Sequence, residues 1–162
     1  MYKPFVPPDF KVPEKLETSK FRLRMLGVAD VVKDYDAVMT SINHLQGIFG
    51  PRSKWPLKDL TFEQDLIDLG WHQKEFQTRS SFAYTVMNLD ESQCLGCVYI
   101  FQPRKEGFDA EVYMWVRKSA SDKGLDSLLY GAVKKWIIEK WPFSKVAYPG
   151  REIKWETWNS LA

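Results

Sequence analysis

Residues 116–141 constrain the fold more than any other stretch. A strand over 109–117 is expected to run into a short polar loop, 118–123, and Gly124 then opens a long helix. In that helix Leu125, Leu128, Leu129, Ala132, Val133, Trp136 and Ile137 recur at the i, i+3, i+4, i+7 spacing of one buried face. Pro142 cannot continue it, so the helix should stop near Trp141. A strand, a glycine-bearing loop and a helix start together make an anion site, because free backbone N–H groups and the positive end of the helix dipole point into the loop. The plain alternative is that Asp122 caps the helix and the loop binds nothing.

The chain has 162 residues, the length of one domain. It is 44% hydrophobic, which supports a core, and its seven Trp favour bulky packing or a ligand cleft. A net charge of +2 is too small to argue for a nucleic-acid binder. No apolar run follows Met1, Tyr2, Lys3 and Pro4, so no signal peptide is expected, and no stretch approaches transmembrane length. The expected location is the cytoplasm. Cys94 and Cys97 have a C-x-x-C spacing, but no second pair exists and His44 and His72 are scattered. Inside a strand an offset of three places the two thiols on opposite faces, so they read as buried structural cysteines.

Residues 1–20, with Pro4, Pro7, Pro8 and Pro13 between aromatics, read as an extended arm, and 21–162 as a single domain. Phe5, Val6 and Phe10 would dock on the domain or on a second subunit, or the terminus frays. A half-buried strand is expected over 21–26. Asp30 can cap a helix reaching Leu45, with Val31, Tyr35, Val38, Met39 and Ile42 on one face. Residues 47–56 are loop by composition. Thr61 can cap a second helix, with Gln64 completing a capping box and Phe62, Leu66, Leu69 and Phe76 as its apolar positions. Gly70 marks a possible break. Strands over 82–87, 93–101 and from 109 form an antiparallel meander. After the long helix, 145–148 is a short strand parallel to the one from 109, and 151–162 ends in a short helix carrying Ile153, Trp155 and Trp158.

This order resembles the Gcn5-related N-acetyltransferase (GNAT) fold, and local residues agree. Leu16-Glu17-Thr18-Ser19-Lys20-Phe21-Arg22-Leu23-Arg24, followed by Asp30, resembles the opening of the branch that acetylates ribosomal-protein N-termini and small amines. Leu95-Gly96-Cys97-Val98 resembles the family's glycine-bearing strand, and Glu111 to Arg117 with Ser121-Asp122-Lys123-Gly124-Leu125-Asp126 its acetyl-CoA segment. The resemblance implies an α+β fold: a mixed, mostly antiparallel sheet flanked by helices, shorter at its C-terminal end because only 149–162 follow Tyr148. It implies acetyl-CoA as donor, with Trp115, Val116, Arg117, Ser121, Asp122, Lys123, Gly124, Leu125 and Asp126 around it. In the family's loop a Gln or Arg stands where Ser121 is, and a small residue where Asp126 is. A carboxylate in the first helical turn competes with a phosphate for the same positive dipole end, unless Asp126 points to solvent or Lys118 and Lys123 offset it.

Acetyl transfer needs a neutral amine, a polarised thioester carbonyl and contact between the two. An alkylammonium has a pKa of about 10, so a base is needed at neutral pH. The resemblance implies Glu111 as that base, often working through water. By alternation Glu111 shares a face with Tyr113, Trp115 and Arg117. The alternative is a solvent-facing Glu paired with a neighbouring Lys or Arg. Backbone N–H groups near Trp115 and Val116 could polarise the thioester oxygen, with the pantetheine arm pairing like an added strand. Tyr148 could protonate the leaving thiolate or simply pack against Trp155. The acceptor site is expected from the first two helices and their loop, including Trp55, Trp71, Phe76 and Arg79; no acidic cluster in the sequence marks a polyamine pocket. The expected function is acetyl-CoA-dependent N-acetyl transfer to a small-molecule amine or a peptide N-terminus, with no nucleic-acid or membrane partner, no metal, and a homodimer possible through the arm. The alternative is a non-catalytic acyl-CoA-binding or protein-interaction module.

Overall fold

The computed structural model describes residues 3–162; Met1 and Tyr2 of the arm, and with them the start of the signal-peptide reading, lie outside the described residues. A six-stranded sheet runs in chain order: β1 (Lys15–Glu17), β2 (Arg22–Met25), β3 (Phe82–Met87), β4 (Cys94–Phe101), β5 (Ala110–Val116) and β6 (Val146–Ala147). All neighbours are antiparallel except β5 and β6, whose parallel pairing follows a helical crossover. The helices are α1 (Val31–Met39), α2 (Ile42–Leu45), α3 (Phe62–Gln77), α4 (Lys118–Ser121), α5 (Leu125–Lys140) and α6 (Trp155–Ser160). None is long and apolar enough to cross a membrane. The architecture is the expected mostly antiparallel sheet with helices on both faces.

Every residue of β3 and β5 is buried, because each strand carries apolar side chains on both faces. Phe82, Tyr84 and Val86 of β3, with Val112 and Met114 of β5, pack beneath Leu129, Val133 and Ile137 of α5. Ala83 and Met87, with Tyr113 and Trp115, pack on the opposite face beneath α1 and α3. The predicted stripe of α5 is the buried one except for Ala132, which is half-buried, and Leu128, which is 49% exposed.

The arm closes the α5 face. Val6 is buried, Phe5 stacks between Phe82 and Phe143, and Phe10 tilts against Trp141. Arg79 donates to the Pro7 carbonyl at 2.8 Å and the Tyr84 hydroxyl to that of Pro13 at 2.6 Å. The arm's apolar side chains thus pack on the chain's own domain. Its last residues form β1, a strand whose polar sequence conceals it.

Four local expectations are corrected. The helix from Asp30 breaks at Thr40–Ser41 into α1 and α2, where the Ser41 hydroxyl accepts the Lys118 N–H at 2.9 Å. Asp30 does not cap α1; its carboxylate reaches back to the Gly27 N–H and the Arg24 guanidinium. Thr61 does cap α3, accepting from the Gln64 N–H at 3.0 Å, while the Gln64 side chain turns to Asp68. The helix then runs unbroken through Gly70, and its inward stripe is rotated: Asp65 and Leu69 are buried while Phe62 and Leu66 are exposed. Finally, a bulge at Leu95 shifts the β3–β4 register, pairing Val86 with Gly96 and Met87 with Cys94. The extra residue flips the alternation, so both cysteines lie on the α1/α3 face. Both are free and buried, and burial pushes the Cys94 thiol up to about 12. Next to the bulge, a Cβ on Gly96 would sit 2.1 Å from the Trp115 carbonyl oxygen, so only glycine fits there.

Candidate acyl-CoA and acceptor site

β5 and β6 pair only at Ala110–Val146 and Glu111–Ala147. Pro149 and Gly150 then turn the chain away, and the edge of β5 beyond Glu111 faces a slot of about 240 Å³. Val112, Tyr113 and Met114 line it on one side, Pro149, Gly150 and Arg151 on the other, with Trp155 beside them. Trp155 is held there by two close backbone approaches. A Cβ on Gly150 would fall 2.6 Å from its indole nitrogen, and one on Gly50 3.2 Å from its ring. The ring stacks on Tyr113 at 6.2 Å.

The slot leads toward the N-terminal end of α5, which follows Gly124 in a left-handed conformation (φ +84°). The loop before it differs from expectation. Residues 118–121 are the helical turn α4, and the N–H groups of Ala120, Ser121, Asp122, Lys123 and Gly124 all bond within it or just behind it. The donors left for an anion are those of the first turn of α5, which no side chain among the described residues caps. Asp126 in that turn does not point free into solvent, and Lys118 does not offset it, because Lys118 pairs with Asp122. Its counter-ion is Arg151, whose Nη1 and Nη2 each donate at 2.8 Å to one Asp126 oxygen. Arg151 Nη2 also reaches the Met114 carbonyl at 3.2 Å, and the guanidinium lies over the Tyr130 ring. The hydrogen bonds and charge of Arg151 hold the Asp126 carboxyl below its ordinary range. His44 adds to this from α2, where it lines a second cleft of about 500 Å³ with Thr40, Asn43, Lys58 and Lys118.

Glu111 is wholly buried, not solvent-facing. Its Oε1 accepts the Arg104 N–H at 2.6 Å, its Oε2 the Tyr113 hydroxyl at 2.8 Å, and the Arg104 guanidinium spans both oxygens. Burial and the neighbouring carboxylate push the Tyr113 hydroxyl up. Tyr148 lies on the other face of the sheet, edge-on to Tyr130 rather than against Trp155, and burial raises its hydroxyl as well.

The remaining sequence candidates divide. Gly124, Leu125 and Asp126 form the start of α5, which is the mouth of the slot. Ser121 and Asp122 close α4, and Lys123 lines a separate cleft of about 350 Å³ with Lys20 and Ser119. Trp115 and Arg117 face α1 and α3. The Trp115 indole donates to the Tyr99 hydroxyl at 2.9 Å, and Arg117 holds Asp36, Thr40 and the Cys94 carbonyl. Val116 packs under α5. The Met114 carbonyl faces the slot, and backbone groups alternate along a strand, so the N–H groups of Met114 and Val116 share its side while that of Trp115 faces β4. Of the acceptor candidates, Phe76 and Arg79 lie on the arm's side. Trp55 and Trp71 line a cavity of about 400 Å³ together with Asp34, Asp65 and Asp68, so folding assembles an acidic cluster that the linear sequence disperses. Arg151, Arg104 and the Tyr113 hydroxyl were missed in the sequence; nothing local marks the first two. Asp34 and Asp65 did leave a signal, as carboxylates lying within helical stripes.

No family model matches the sequence, and no curated protein matches it significantly. Solved structures do match in shape. A ribosomal-protein-S5-alanine acetyltransferase from Vibrio fischeri superposes with a TM-score of 0.65 at 17% identity, over 85% of this chain and 75% of that one. A ribosomal L7/L12 alpha-N-protein acetyltransferase in complex with coenzyme A gives 0.61 at 15% identity, over 76% and 67%. An acetyltransferase from Salmonella typhimurium that modifies the N-terminal serine of L7/L12 gives 0.59 at 13%, over the same shares. The chain therefore has the fold of the Gcn5-related N-acetyltransferases, with structural likeness notably to those acting on ribosomal-protein N-termini.

Proposed function

We propose that the chain is an acetyl-CoA-dependent N-acetyltransferase acting on a primary amine. The observation that carries this reading is the parting of β5 and β6 beyond Glu111, which leaves a strand edge for an amide-bearing arm to pair with, ending at the uncapped start of α5. The pantetheine arm occupies that slot and the pyrophosphate meets the first turn of α5. Arg151 supplies the cation that Ser121 does not. Binding the arm requires its guanidinium to release the Met114 carbonyl while keeping Asp126.

The amine approaches from the α1/α3 side. Its nitrogen attacks the thioester carbon, the C–S bond breaks, and the thiolate takes a proton. The ammonium's proton leaves through the Tyr113 hydroxyl toward Glu111, the buried carboxylate behind it. Arg104 holds that carboxylate in place through its backbone N–H and its guanidinium. Tyr148, on the other face of the sheet, serves as the candidate acid for the thiolate. Two free buried thiols suit a reducing cytoplasm.

Incubation with acetyl-CoA and a panel of amines and N-terminal peptides, read by release of free thiol, tests the reaction. We expect amine-dependent release. Acetyl-CoA binding without release for any amine would favour the second reading, a CoA-binding module without catalysis. One observation speaks for that module: the Glu111 oxygens are already occupied by Arg104 and Tyr113.

A further inference from the structure

Between α1, α3 and the face of β4 lies the cavity of about 400 Å³ that holds Asp34, Asp65 and Asp68. Asp34 and Asp65 are both more than nine-tenths buried, one on each helix. Among the described residues no Lys or Arg forms an ion pair with any of the three. Asp65 and His72 both line this cavity, and the Asp65 Oδ2 and the His72 Nδ1 are buried with no hydrogen-bond partner among the described residues. A buried carboxylate oxygen left unpaired is costly, and a fold that keeps one holds a place for a donor. The opposite wall is aromatic: Trp55, Tyr99 and Phe49, with the His72 ring against Tyr99. Lys74 lies at the exposed rim, over Trp71, 5.2 Å from the ring centre.

Carboxylates facing π-rings are the chemistry that recognises an organic cation. A hard metal ion would need a shell of oxygens, and among the described residues no group of acidic, His or Cys side chains is set to hold one. We propose that this cavity binds the alkylammonium head of a cationic amine, with Asp65 and Asp34 as its counter-ions and Trp55 and Tyr99 as its walls. Phe49 links it to the slot, touching Tyr99 at 5.3 Å and Tyr113 at 5.5 Å. The proposal deepens the transferase reading by naming the acceptor class, and it rests on that reading only for the acetyl step. Burial and mutual repulsion hold Asp34 protonated well above the ordinary carboxylate range, and burial raises Asp65, as an empty cation site should. Burial keeps His72 neutral, and Asp30 nearby is already paired with Arg24.

The test needs no CoA. The intact chain is titrated at pH 8 with n-butylammonium chloride, with 1-butanol as the neutral isostere and KCl for ionic strength, and followed by thermal shift and calorimetry. We expect n-butylammonium to bind and raise Tm while 1-butanol does neither. Asp65→Asn should weaken binding about tenfold or more, since a charge-assisted contact is lost. Asp68→Asn, nearer the surface, should weaken it less and serves should Asp65→Asn fold poorly. No shift with n-butylammonium, an equal shift with 1-butanol, or undiminished binding in both variants would overturn the proposal. A parallel thiol-release assay separates the two readings. Binding without turnover defeats the transferase and leaves the pocket; turnover with an unchanged KM in both variants defeats the pocket and leaves the transferase.

Discussion

Arg151 donates to both carboxylate oxygens of Asp126, at 2.8 Å each, and so ties the segment after β6 to the first turn of α5. An unpaired Asp126 would repel a phosphate from the positive end of the helix dipole. Paired, it is neutralised and becomes the anchor of a guanidinium at the mouth of the slot. Once the Met114 carbonyl is released, Asp126 uses only part of that fork, leaving the Nε hydrogen and one each on Nη1 and Nη2 for a phosphate oxygen.

Glu111→Gln separates base from scaffold. Loss of the carboxylate's negative charge should lower turnover by about a hundredfold, the lower range for general-base removal. Acetyl-CoA affinity should change little, because Glu111 lies behind the slot. Steady-state kinetics with parallel calorimetry decide; full turnover in the variant would remove Glu111 as the base.

The Asp34–Asp65 pair makes a signed pH prediction. A carboxyl whose folded pKa is raised stabilises the fold fully below its unfolded value, about 3.9, and that contribution is lost as pH rises through the folded value. Asp34→Asn removes the ionisable group while keeping a polar side chain of nearly the same size. It should raise Tm at pH 8, with the gain shrinking toward pH 4. Calorimetric melts at both pH values, compared as differences from wild type, cancel the carboxylates whose pKa is lowered by ion pairs. A lower Tm for Asp34→Asn at pH 8 would contradict the repulsion.

Gly96→Ala places a methyl 2.1 Å from the Trp115 carbonyl at the bulge. Backbone must move on β4 or β5, so we expect a loss of about 3 kcal/mol or more in urea unfolding. By contrast Gly131→Ala, on the exposed side of α5 with nothing near its Cβ, should stabilise by about 0.5–1 kcal/mol. Equal effects at the two sites would mean the bulge tolerates a side chain.

Much of this fold is legible in the sequence where one rule acts alone. Strands β3, β4 and β5 are apolar runs bounded by turn residues, and α5 carries a strong stripe ended by Pro142. Competing effects hide the rest. β1 is a charged edge strand fixed only by pairing with β2. The stripe of α3 is rotated because Asp65 and His72 face inward, against their usual preference. The face of Cys94 depends on the bulge at Leu95, which the adjacent Gly96 permits but which strict alternation along the strand does not foresee. The site was less legible than the fold. Strand, loop and helix start locate the mouth, but Arg151 meets Asp126 only through tertiary folding, and Asp34 finds Asp65 across two helices. Those aspartates were readable as buried charge in an apolar stripe, and such a violation of patterning is where function is to be sought.

The most direct measurement is calorimetric titration of acetyl-CoA into the wild-type chain and into Arg151→Ala, at low and moderate salt. We expect micromolar binding by the wild type, weakened about tenfold by the substitution, with a shallower salt dependence once a phosphate partner is gone. No binding by the wild type would contradict a CoA site at this slot, and tighter binding by Arg151→Ala would make the guanidinium a plug rather than a ligand.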